Sequence, residues 1–392
     1  MKKAYNKTVY ACYLGYVTQA IVNNLAPLLF IIFQKDFQIS LVQVTLITTL
    51  NFLVQLFVDF ISAYFVDGIG YRTCLVAAHV FSAAGLVGLS VFPGLFAAPY
   101  VGILLAVVLY AIGGGLIEVL VSPVVECCPS ENKEAAMSLL HSFYCFGTVA
   151  VVFLSTAFLF VFGKESWIYL PLLWALLPIA NGIFFLKVPI LSPEGEGGFS
   201  GMVSLFNERL FWILFFLMIA AGASEQGMSQ WASAFAESGL QVSKTVGDLM
   251  GPCFFSILMG ISRAFYGKFG ERIPLMPFMR VSALLCIISY SMAALMESPF
   301  LSLLGCGLCG LSVGIMWPGT FSLASSHIPS GGTAMFAFLA LAGDVGCMSG
   351  PTFVGSIAAH FHGSLRMGLL PAVIFPAMMI ALSYLLGKYR EC

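Results

Sequence analysis

Long apolar runs, separated by short polar breaks, recur along the whole chain. Each is about 18–26 residues, and a helix of about 20 apolar residues crosses a hydrocarbon core of roughly 30 Å. Lipid offers no hydrogen-bonding partner to the backbone, so such runs must satisfy their peptide groups internally, as helices. A membrane barrel would instead show segments of about ten alternating residues, and the sequence has none. Only 9% of the residues are charged, against about 25% in a soluble domain. The N-terminal MKKAYNK precedes a run that is too long for a signal peptide and lacks a small-residue cleavage site, so it reads as the first span. The chain reads as an all-α polytopic membrane protein.

Twelve spans are expected, near residues 8–33, 42–66, 74–96, 100–126, 135–162, 166–188, 208–236, 245–267, 274–296, 299–325, 332–360 and 366–388. With the N-terminus inside, thirteen of the seventeen lysines and arginines fall on the inner side; Lys35, Lys164, Lys244 and Arg366 fall outside. Such a bias puts both termini in the cytoplasm, and a bacterial plasma membrane is the expected location. The net charge of −1 and the lack of a basic stripe argue against nucleic-acid binding. Most of the eleven cysteines lie inside spans. The Cys306–Cys309 CxxC lacks a second pair or a histidine cluster, so these cysteines read as small packing residues, with no metal or cofactor expected.

The longest polar break, 187–209, cuts the chain near its midpoint. The expected organisation is a six-helix bundle over 1–188, a cytoplasmic linker over 189–207 and a second six-helix bundle over 208–392. At an offset of 200 residues, Gly70 and Arg72 fall on Gly270 and Arg272, Gly114 on Gly314 and Pro129 on Pro329. Parallel repeats of this kind place a substrate site near the midplane between the halves. In AYFVDGIGYR, Asp67, a glycine turn and Arg72 can clamp neighbouring helix ends, with Glu126 as a further partner. Lys268 and Arg272 mark the equivalent loop of the second half. Ordinary positive-inside anchoring is the alternative.

This loop resembles the loop motif of the major facilitator superfamily, with Ala63 and Gly68 departing from it, and Gly267 standing where the second loop would carry the aspartate. GGGLIEVLVSPVVECCP (113–129), GIMWPGTFSLAS (314–325), GASEQGMSQW (222–231) and NNL (23–25) are similar to spans four, ten, seven and one of its fucose permease group. The resemblance implies twelve helices in two pseudo-symmetric bundles and proton-driven import of a neutral sugar. Pro27 stands where that group has a span-one aspartate implicated in transport, which leaves coupling ion and substrate open.

Glu118 lies eight residues inside the cytoplasmic end of span four, about 12 Å at 1.5 Å per residue. A charged, unpaired carboxylate there costs several kcal/mol, and intramembrane carboxylates mark substrate or ion pathways. Glu118 is therefore expected to bind solute or carry protons, the alternative being a hydrogen-bonded helix contact. Gln19, Asn23 and Asn24, at i, i+4 and i+5, form a polar stripe on span one that must face protein or water. Glu225, Gln226 and Gln230 of span seven suit sugar hydroxyls and Trp231 suits a sugar face, with Gly222 and Gly227 permitting a broken helix; the alternative is a polar outer helix end near a water vestibule. Trp317 either offers an aromatic wall beside a hinge at Pro318 or packs beside a structural kink there. His141 either shuttles protons or makes a helix contact, and Asp344 either lines the cavity or joins helices. Asp59, Arg263 and Arg280 are expected nearer the cytoplasmic face, in gating or anchoring pairs.

No metalloprotease, nucleophile-elbow or phosphate-loop motif is present, so an enzyme is not expected. The expected function is a monomeric secondary transporter in the lipid bilayer, taking a small solute with a proton or sodium ion. Export of a drug or metabolite, or uncoupled carriage of a non-sugar solute, stays open. Span five lacks the glycine–proline motif of the superfamily's antiporters, which weighs against export.

Overall fold

The structure is a computed structural model and describes residues 2–39, 41–192, 205–232, 235–236, 240–242, 246–247 and 249–388. Much of the expected linker, along with Lys244 and Arg390, lies outside the described residues.

Twelve spans are present among the described residues. Span one is Lys2–Phe37, two Leu41–Ile69, three Tyr71–Val91, four Pro99–Cys127, five Lys133–Phe162 and six Tyr169–Phe185. Span seven is Arg209–Ser229, eight Phe254–Phe269, nine Leu275–Leu295 and eleven Gly332–His360. Span ten is two helices, Pro299–Val313 and Met316–His327, and span twelve is Leu365–Leu369 and Ile374–Lys388 around a short turn. Large apolar side chains such as Phe57, Phe60, Phe153 and Phe160 point outward, where lipid accommodates them.

One expectation needs correction. Span seven is not broken at Gly222 or Gly227 but runs as one helix to Ser229. Those glycines serve close packing: a Cβ at Gly222 would lie 2.4 Å from the Gly343 carbonyl oxygen. Span ten breaks at Gly314–Ile315, in the turn before Pro318. Proline has no amide hydrogen, so the effect falls on the carbonyl four residues earlier, that of Gly314.

The chain folds as two compact units. The first comprises 1–129, 146–201 and 332–337, and the second 130–145, 202–331 and 338–392. In the first, span four packs on spans one, two and three, and span three on span six. The glycine triplet explains how span four reaches three neighbours. A Cβ at Gly113 would meet Ser82 and Ala78 of span three, at Gly114 Gln19 of span one, and at Gly115 Val58 of span two. In the second unit, span ten packs on spans eight and nine, and span twelve on spans seven and nine. Span ten approaches span eight so closely that a Cβ at Gly310 would lie 2.1 Å from the Phe255 carbonyl oxygen.

Candidate functional site

One turn beyond the glycine triplet, Glu118 is buried among polar side chains of spans one and two. The Gln19 amide donates to Glu118 Oε2 at 3.0 Å and to Gln55 Oε1 at 2.8 Å. Gln55 in turn donates to Asn23 Oδ1 at 2.9 Å, and Asn51 donates to the same oxygen at 3.0 Å. Amides on two helices thus form a connected chain ending at the carboxylate. The first-unit residues Gln19, Asn23 and Glu118 are brought together as one group. Asn24 turns away, donating to the Ala20 carbonyl at 2.9 Å and to Thr148 of span five at 3.3 Å. Near Glu118, Tyr16 and Ser122 share a hydrogen bond of 2.8 Å.

The second unit holds a buried ion pair. Arg263 Nη2 donates to Glu225 Oε2 at 3.0 Å, with side chains 3% and 9% exposed. Removing one partner of such a pair costs about 3–5 kcal/mol, because the other charge is left buried alone. Gln226 donates to Glu225 Oε1 at 3.4 Å and Gln230 to Gln226 at 3.0 Å, so a polar ladder runs from the arginine to exposed Gln230. Trp231 Nε1 donates to the Pro351 carbonyl at 2.9 Å, and its ring packs beside Gly355 of span eleven. The Trp317 ring covers Gly343, next to buried Asp344. His141 is buried with its ring 5.9 Å from that of Phe321, and its carbonyl accepts from Arg263 Nη1 at 3.2 Å.

The loop residues clamp helix ends through separate partners. Asp67 Oδ1 accepts from the Thr333 hydroxyl at 2.6 Å, which also pairs with Tyr71 at 2.6 Å. Arg72 donates to the Phe185 and Leu186 carbonyls at 2.8 and 2.9 Å, capping the end of span six. Lys268 lies over the Phe269 ring, Arg272 is exposed in the following turn, and Glu126 is half-buried near the end of span four. Arg280 anchors span nine to span twelve, its guanidinium 4.0 Å from the Tyr384 ring centroid. Cys309 of the CxxC faces Cys286 of span nine, their sulfurs 3.9 Å apart. Among the described residues, no three His, Cys, Asp or Glu side chains are grouped to hold a metal.

Sequence reasoning missed Asn51 and Gln55, and expected Arg263 in a gating or anchoring pair without naming Glu225 as its partner. The signal for the first two is spacing: Asn51, Gln55 and Asp59 recur at i, i+4 and i+8, and all three are buried on one face of span two. The signal for Arg263 is Pro318, whose missing amide leaves the Gly314 carbonyl in need of a donor.

The sequence profile of the Major Facilitator Superfamily matches residues 12–351. Among solved structures, the fucose:proton symporter of E. coli is 14% identical, with 98% of this chain and 99% of that one covered and a TM-score of 0.79. A proton:xylose symporter bound to 6-bromo-6-deoxy-D-glucose is 13% identical, covering 99% and 96%, also with a TM-score of 0.79. A bacterial homologue of the iron transporter ferroportin is 13% identical, covering 96% and 99%, with a TM-score of 0.74. At these identities the likeness establishes the fold. No curated protein matches the sequence.

Proposed function

The chain belongs to the major facilitator superfamily, and from that premise we propose that it imports a small neutral sugar together with a proton, by alternating access. It is an integral membrane carrier with the twelve-helix fold of that family, not an enzyme, and it moves a small solute.

The observation that carries the finer reading is the Glu118 chain. Gln19, Asn23, Asn51 and Gln55 each carry both an amide donor and a carbonyl acceptor, matching the dual hydrogen-bonding character of sugar hydroxyls. Glu118, at the end of the chain, is the group that takes and releases the proton. Solved relatives in fold include carriers of fucose and xylose with protons. In the second unit, Glu225, Gln226, Gln230 and Trp317 supply further solute contacts, and Asp344 and His141 further proton sites. Asp67, Arg72, Glu126, Lys268 and Arg272 gate the cytoplasmic face. The chain acts as a monomer in a bacterial plasma membrane with both termini in the cytoplasm.

The test is uptake of labelled hexoses and 6-deoxyhexoses into proteoliposomes, with and without an imposed inward proton gradient. Gradient-stimulated accumulation of one sugar supports the reading. If folded protein moves no sugar under either a proton or a sodium gradient, the reading fails and export or a non-sugar solute takes its place.

A further inference from the structure

Pro318 cannot donate a backbone hydrogen bond, so the Gly314 carbonyl lacks its helical partner. Span ten breaks there. The donor comes from another helix: Arg263 Nε, buried on span eight, reaches the Gly314 oxygen at 2.8 Å. The same guanidinium gives Nη2 to Glu225 Oε2 at 3.0 Å, and Nη1 to the His141 carbonyl at 3.2 Å and Cys145 Sγ at 3.0 Å. All these residues belong to the second unit. One planar fork therefore binds spans five, seven and ten.

The geometry is tight on every side. A Cβ at Gly314 would lie 2.8 Å from Ser262 Cβ, so glycine lets span ten approach span eight. The Ser138 hydroxyl donates to the Arg263 carbonyl at 2.7 Å, tying its backbone to span five as well. The guanidinium donors are fixed in one plane. Glu225 and the break in span ten therefore cannot move independently while both are bound to it. Trp317 follows the break by three residues, and Gln226 follows Glu225 directly.

We infer that Arg263 is a positioning residue of the transport cycle, supplying the donor that Pro318 removes and coupling the orientation of Glu225 to the bend of span ten. This rests on the reading of Glu225 and Trp317 as solute contacts. When a proton or a solute hydroxyl engages Glu225, the guanidinium is freed to shift, and the bend shifts with it. A lysine keeps the charge but presents a point rather than a fork, so it cannot serve Glu225 and Gly314 together.

The first measurement needs no solute: amide hydrogen exchange of the segment 313–320 in the full-length protein in nanodiscs. Glu225→Gln/Arg263→Gln, which leaves no buried charge unpaired, should raise exchange there about tenfold. Adding Pro318→Ala, whose amide can serve the Gly314 carbonyl, should return exchange to within about threefold of the parent protein. Unchanged exchange in the double variant, or no restoration by alanine, overturns the inference. The second measurement is uptake of labelled L-fucose. Arg263→Lys should keep KM within about threefold and lower Vmax about tenfold. A wild-type Vmax in Arg263→Lys, or a loss confined to KM, also overturns it. If the unsubstituted protein takes up neither L-fucose nor any other labelled hexose or 6-deoxyhexose, the sugar reading fails instead, and the exchange result then decides the role of Arg263.

Discussion

The Gln19 amide nitrogen lies 3.0 Å from Glu118 Oε2, which makes a carboxylate on span four and an amide on span one a single polar unit. Glutamine at 118 would keep the shape and the acceptor oxygen but could not take up a proton. Glu118→Gln is therefore expected to lower gradient-driven sugar accumulation at least tenfold while leaving counterflow exchange within about threefold. Both are read from the same proteoliposomes. Equal loss of accumulation and exchange would instead make Glu118 a solute ligand or a structural residue.

Gln55 is the link between Asn23 and Gln19, accepting from one amide and donating to the other residue. Gln55→Leu would leave one buried N–H of Gln19 without its acceptor, at about 1–3 kcal/mol, and would leave Asn23 Oδ1 with Asn51 as its remaining donor. The expected result is a lower Tm in detergent and a KM for sugar raised about tenfold. An unchanged KM with a lowered Tm would show that the chain holds the helices together without touching solute.

Thr333 joins Asp67 and Tyr71 through one hydroxyl. A hydrogen bond to a carboxylate contributes about 1.5–3 kcal/mol, and residues in direct contact show coupling on that scale in double-mutant cycles. Thr333→Val and Asp67→Asn should each lower the Tm, and together they should lower it by less than the sum. Additive losses would mean that the contact contributes nothing in solution.

The twelve spans are legible in the sequence because a long apolar run has one low-energy solution in lipid. Glu118 is legible for the same reason, as a carboxyl group standing in such a run. Asn51 and Gln55 are harder to see, since each is a single amide among apolar neighbours and only their shared spacing marks a face. Arg263 is legible as one member of a pair but its partner Glu225 is not, because distance from a loop along the chain says nothing of how far a guanidinium reaches or what it meets. Glycine misleads differently: the same residue signals a flexible helix or a close helix contact. At Gly222 the structure shows the second, and at Gly314 a close approach to Ser262 coincides with a break one turn before Pro318.

The glycines of span ten provide the sharpest test of its packing. At Gly310 an added methyl group would lie 2.1 Å from the Phe255 carbonyl oxygen, on the backbone of span eight, which cannot turn aside as a side chain could. At Gly68 the same methyl would meet nothing within 4 Å. Overpacking a tight contact costs about 1–3 kcal/mol, whereas exposed substitutions stay within about 0.5 kcal/mol. Gly310→Ala should therefore lower the Tm by several degrees and Gly68→Ala should leave it unchanged, measured by thermal unfolding in one detergent. A Gly310→Ala protein as stable as its parent would mean that spans eight and ten do not pack as closely as their backbones are placed.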